Sequence, residues 1–135
     1  MTLEKFNEIK KGILEHINIT DSNIESKLLL HAKMSTKYLA IFTEESLLLS
    51  QLKTDLEAKY GQLYMDLKTN SRYDLKVAEI EYNINFNAEY VTLKKSYIEQ
   101  ESYVKFIEGF VGILKNLNYS LKSYVDLKIW LSGGR

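Results

Sequence analysis

Leu3, Phe6, Ile9, Ile13, Leu14 and Ile17 recur at steps of three and four. They draw one apolar stripe, so the pattern predicts an amphipathic helix from about residue 3 to 19. The polar stretch NITDSNIES ends it. Asp21 or Ser22 is placed to cap the next helix, and Ser22 with Glu25 three residues on makes a capping-box pattern. A long second helix then runs from about residue 23 to 67. Its apolar positions include Ile24, Leu28, Ala32, Leu39, Phe42, Leu49, Leu52, Leu56, Tyr60, Leu63 and Leu67, most of them three, four or seven apart, close to a heptad seam. Gly61 interrupts it. A straight rod of that length spans about 65 Å at the α-helical rise. A chain of 135 residues cannot bury such a rod alone, so it is expected to fold back as a hairpin or to pack against other chains.

KTNSR reads as a turn. Beyond it, Ile80, Tyr82, Ile84 and Phe86 alternate with Glu79, Glu81, Asn83, Asn85 and Asn87. Period two is the signature of a strand, but no other segment offers a partner strand. A short β segment near 79–87 and a short helix followed by a turn both remain open. From Ala88 the helical period returns.

The C-terminal stretch VKFIEGFVGILKNLNYSLKSYVDLKIWL is the most apolar part of the chain. On a helix it carries two stripes. One holds Ile107, Val111, Leu114 and Leu121; the other holds Phe106, Phe110, Ile113, Leu117 and Tyr124. The combined arc is wide for a helix packed on one neighbour. Lys105, Glu108, Lys115, Lys122, Asp126 and Lys128 interrupt it too often for a membrane span. A helix central to the chain's own core and a helix buried between subunits both fit, and the width of the arc together with Gly109 and Gly112 favours a subunit interface. The expected interface residues are Val104, Ile107, Phe110, Val111, Leu114, Leu117 and Leu121, with a helix break near Asn116–Asn118.

Composition adds mostly exclusions. Proline is absent, which fits long helices. Cysteine is absent, so there is no disulfide framework and no thiolate metal site. The N-terminal segment is charged throughout and lacks the apolar core of a secretory signal, so a cytoplasmic protein is expected. The 18 Lys and Arg balance the 18 Asp and Glu, which removes any global electrostatic argument for nucleic acid. His16 and His31 stand alone in the sequence and match no metal-ligand spacing. Glu44 and Glu45 diverge around a helix and do not form an acid–base pair. No phosphate-cradling loop is present, and no enzyme, cofactor or metal is expected.

One local pattern stands out. Lys53, Lys59, Lys68 and Arg72 cluster around the end of the long second segment, interleaved with Tyr60, Tyr64 and Tyr73. Cations for phosphates and aromatic faces for bases are the usual means of holding single-stranded nucleic acid. Asp55, Glu57 and Asp66 dilute the charge, and a solvated helix with core tyrosines is the plainer reading. Repetition around an oligomer multiplies a weak patch.

In order, spacing and length, the chain resembles the UvsY-like recombination mediator proteins of tailed phages. The resemblance runs through the N-terminal amphipathic segment, AKMSTKYLAIFTEE, LEAKYGQLY, AEIEYNI and YVKFIEGFVGILKNLNYSLKSYVDLKIWLSGG. It implies a non-enzymatic, mainly all-α protein that binds single-stranded DNA and forms a ring-like homo-oligomer, a hexamer or heptamer. It also implies contacts with the phage single-strand-binding protein and a phage RecA-like recombinase in the cytoplasm of the infected host. The family's DNA-binding motif places two basic residues about an alanine that follows a leucine. Here the stretch is Leu56-Glu57-Ala58-Lys59, so Lys59 matches the second basic position and Glu57 replaces the first. The expected DNA-binding set is Lys53, Lys59, Tyr60, Tyr64, Lys68 and Arg72, on one domain over residues 1–135. Residues 1–72 would carry the DNA patch and residues 88–135 would drive assembly. The alternative is an oligomeric helical adaptor that binds only proteins.

Overall fold

The computed structural model describes residues 1–20, 22–70 and 74–133. Among these the chain is all-α, with helices α1 (Leu3–Ile17), α2 (Ile24–Asn70), α3 (Val77–Asn85) and α4 (Ala88–Leu131) and no strand. Thr2 caps α1, its Oγ1 accepting from the Lys5 backbone N–H at 3.2 Å. The Ser22 hydroxyl lies 2.9 Å from the Thr20 hydroxyl. Asn23 is the last residue before α2, and its carbonyl accepts the first helical bond from Lys27. The Asn23 side chain turns back to the connection, accepting from Thr20 N and donating to the Asn18 carbonyl. Asp21, the other expected cap, lies outside the described residues.

The helices build two compact units, and α2 and α4 each contribute to both. The terminal unit comprises Met1–Glu44 and Lys105–Arg135; the central unit comprises Glu45–Val104. In the terminal unit, Ile9 and Ile13 of α1, Tyr38 of α2, and Phe110 and Leu114 of α4 form the core. The Tyr38 and Phe110 rings meet edge to face at 5.3 Å, and Phe6 meets Phe106 at 4.7 Å. Gly12 lets α1 approach Tyr38, since a Cβ there would stand 2.9 Å from the tyrosine hydroxyl oxygen. In the central unit, Ile80 and Ile84 of α3 and Tyr90 of α4 pack with Leu56, Tyr60, Leu63, Tyr64 and Leu67 of α2. Glu45 bonds Gln100 at one level of this unit and Lys59 pairs with Glu89 at another, so α2 and α4 run antiparallel within it.

One open reading closes and one expectation changes. The alternating stretch is helical: of its two open readings, the helix is the one found. Ile80 and Ile84, four apart, are buried, while Tyr82 and Phe86, also four apart, are exposed with their rings 4.7 Å from each other. Two helical pairs on opposite faces produce the same alternation as a strand. The correction concerns Asn116–Asn118, where α4 does not break. Leu114, Leu117 and Leu121 pack on both sides of the asparagines, and that burial outweighs the modest helix-propensity cost of Asn. The long second helix is found as one element: α2 is a single helix of 47 residues. Gly61 sits in its interior, and nothing would lie within 4 Å of an added Cβ. Gly61→Ala is therefore expected to stabilise the protein by about 1 kcal/mol, read as a higher urea midpoint at unchanged m-value. Gly12→Ala should not share that gain, because the new methyl meets the buried Tyr38.

Candidate nucleic-acid interface

The central unit carries the residues expected to bind DNA. Lys53, Glu57, Tyr60, Tyr64 and Lys68 succeed one another at steps of four, three, four and four, so they follow one stripe of α2. Lys53, Glu57 and Lys68 are exposed. Tyr60 and Tyr64 are half-buried, with ring centroids 6.5 Å apart and the rings stacked. Tyr60 also leans on Tyr90 at 5.9 Å. Both tyrosines pack against the Ile80–Ile84–Tyr90 core, so each has part of its surface committed to folding. Arg72 and Tyr73 lie outside the described residues.

Lys59 is off this stripe and already engaged. Its ammonium donates to the Glu89 carboxylate in the first turn of α4. That hydrogen bond, reinforced by the ammonium charge, holds the Glu89 carboxyl below the ordinary glutamate range. A phosphate oxygen at Lys59 would have to displace this partner. The lysine expected to match the second basic position is thus tied to the fold, while Lys53 and Lys68 are the exposed lysines of the stripe among the described residues.

The background field opposes a polyanion here. Residues 45–104 hold seven Lys and Arg against ten Asp and Glu, whereas the terminal unit holds eleven against eight. The neutral total conceals this asymmetry.

Five of the seven residues expected at a subunit interface are buried within the chain itself. Val104, Ile107, Phe110, Leu114 and Leu121 are buried, and Val111 and Leu117 are half-buried. The wide apolar arc of α4 is explained in the terminal unit by two neighbours, α1 and α2, whose Ile9, Ile13 and Tyr38 share a cluster with Phe110 and Leu114. Burial on two sides was legible; that both sides belong to the same chain was not. What α4 leaves exposed there includes Tyr119, Leu127 and Trp130.

Two buried polar constellations escaped the sequence reading. Gln100 donates through Nε2 to the Glu45 carbonyl at 3.0 Å and to its Oε2 at 2.7 Å. His16 and His31, isolated in sequence, face each other in the terminal unit with Nε2 and Nδ1 3.5 Å apart. A signal for two of these positions existed, because His31 and Glu45 stand in line with Tyr38 at steps of seven on α2 and all three are buried. Among the described residues no group of three or more His, Asp or Glu is placed to hold a metal, and no helix is long and apolar enough to cross a membrane. The arrangement is an all-α scaffold with a lysine- and tyrosine-bearing helix stripe. No known protein family, curated protein or solved structure matches the chain.

Proposed function

We propose that this chain is a recombination mediator of the UvsY-like kind. It binds single-stranded DNA and promotes loading of a phage RecA-like recombinase onto DNA coated by single-strand-binding protein. The observation that carries the proposal is the resemblance in order and spacing along nearly the whole chain. The stripe of Lys53, Tyr60, Tyr64 and Lys68 supports it by offering cations at both ends of two stacked rings. A single stripe in an acidic unit binds weakly, so the proposal includes a homo-oligomer, a ring of hexamer or heptamer size, that repeats it along one strand. With Ile107, Phe110 and Leu114 taken up in the chain's own core, assembly falls to exposed α4 residues such as Tyr119, Leu127 and Trp130.

Fluorescence anisotropy with a labelled oligonucleotide over a salt series tests the DNA part, and light scattering on the same samples tests assembly. Lys53→Ala and Lys68→Ala are each expected to weaken binding and to lower the salt slope by about 0.7. Glu57→Lys, which restores a cation at the divergent family position, is expected to tighten binding and steepen the slope by a similar amount. A wild-type protein that ignores oligonucleotide at low salt overturns this reading.

The engaged Lys59 and the acidic central unit favour one second reading, an oligomeric helical adaptor that binds only protein partners. In that case assembly persists and all three variants leave anisotropy unchanged.

A further inference from the structure

His16 in the last turn of α1 and His31 in α2 are both buried, although neither belongs to the proposed DNA stripe. Their rings lie nearly parallel, with centroids 5.7 Å apart and an interplanar angle of 17°. His16 Nε2 and His31 Nδ1 are 3.5 Å apart, so one of these nitrogens carries the hydrogen and the other accepts it. The other nitrogen of His31, Nε2, is 3.4 Å from Ser35 Oγ. One turn before His31, Lys27 donates through Nζ to the Glu15 carbonyl, beside His16. These contacts join the C-terminal end of α1 to α2.

The pair has room for one shared hydrogen. With both imidazoles protonated, two N–H groups point at each other and neither accepts. The charged surroundings do not favour a cation. Lys27 is the near charge from α2. Glu15 of α1 offers its backbone oxygen to Lys27, and its carboxylate is on an exposed residue; Lys33 and Lys37 of α2 are exposed, as are the charged residues of α4 in this unit, from Lys105 to Lys128. The same ammonium argues against a metal ion between the rings.

We propose that the His16–His31 pair is a proton-sensitive latch that holds α1 on α2 when neutral and releases it on acidification. Burial, followed by the charges of Lys27 and His31, pushes the His16 imidazole below the ordinary histidine range. The sign follows from linkage. As pH falls through about 6.5, a released His16 takes up a proton that the docked one refuses. The docked state is therefore at full strength above that pH and loses ground below it, by up to about tenfold per pH unit for one proton. Release would uncover the Tyr38, Phe110 and Leu114 surface that α1 covers.

The chain has two histidines, so a proton NMR titration of the intact protein reads both rings directly. The His16 ring is expected to titrate below the ordinary range. Backbone hydrogen exchange, corrected for intrinsic rates, should show protection of α1 falling between pH 7.5 and 5.5 while α2 residues 50–65 keep theirs. His16→Phe retains a ring without a titrating nitrogen, and its α1 protection should lose the pH dependence. If that variant does not fold, the wild-type titration and exchange still decide. Two rings titrating as free histidines, or α1 protection independent of pH, overturns the latch.

Discussion

Leu114→Asp is expected to unfold the terminal unit, with loss of helical circular dichroism rather than a change of assembly alone. Leu114 is 1% exposed and packs with Ile9 and Ile13 of α1 and Tyr38 of α2. Truncation to Ala at such a site costs about 2–5 kcal/mol through lost transfer energy and a residual cavity. Aspartate adds the cost of a carboxylate with no hydrogen-bonding partner among apolar side chains. Small proteins carry only about 5–15 kcal/mol of stability, so the aspartate variant should have no cooperative urea transition, while Leu114→Ala should keep one at a much lower midpoint. Tyr119→Asp is the matched control, because Tyr119 lies on the same helix and is 70% exposed. It is expected to keep the fold and to reduce light scattering if α4 contributes to assembly. A Leu114→Asp protein that stays fully helical and merely dissociates would return this residue to a subunit interface.

The contrast between those two residues shows what periodicity reveals and what it leaves out. The apolar stripe of α1 identified Ile9 and Ile13 as core, and both are buried. The double stripe of α4 identified burial on two sides. Periodicity reports that a face is covered, and it is silent on which chain covers it. In α2 the seam read from aliphatic residues includes Ala32 and Leu39, yet Leu39 is 53% exposed and Ala32 is exposed as well. The buried line runs one residue earlier, through His31, Tyr38 and Glu45. Each of these counts as polar or amphipathic in a hydropathy pattern, and each is buried with a specific partner: His16, Phe110 and Gln100 respectively. Those partners are 15, 72 and 55 residues away, beyond any local window. The DNA stripe was half legible for the same reason. The spacing of Lys53, Tyr60, Tyr64 and Lys68 is local, whereas the carboxylate that occupies Lys59 comes from residue 89. The Asn87 cap was not anticipated either. Its Oδ1 accepts from Tyr90 N at 3.0 Å, and only Phe86 and Asn87 separate α3 from α4, which makes the turn after the alternating segment compact.

Gln100→Leu should cost the central unit about 2–3 kcal/mol, in the range for a hydrogen bond to a charged group. Gln100 is 2% exposed and Glu45 is 4% exposed, and a single amide nitrogen serves both the carbonyl and the carboxylate of Glu45. Leucine fills a similar volume, so the loss comes from the buried acceptor left without this donor and not from a cavity. The two bonds also set the register of α2 against α4 in this unit, because sliding either helix by one turn moves the amide about 5.4 Å away. Glu45→Gln separates the two roles. It keeps a side-chain acceptor facing Gln100 and removes the charge, so it is expected to cost less than Gln100→Leu in urea unfolding at neutral pH. The double variant Glu45→Leu with Gln100→Leu completes a cycle that reads the coupling between the two residues. Additive costs in this cycle would mean that the Glu45–Gln100 contact contributes no coupling energy. The register would then be held by the packing of Ile80, Ile84 and Tyr90 against α2.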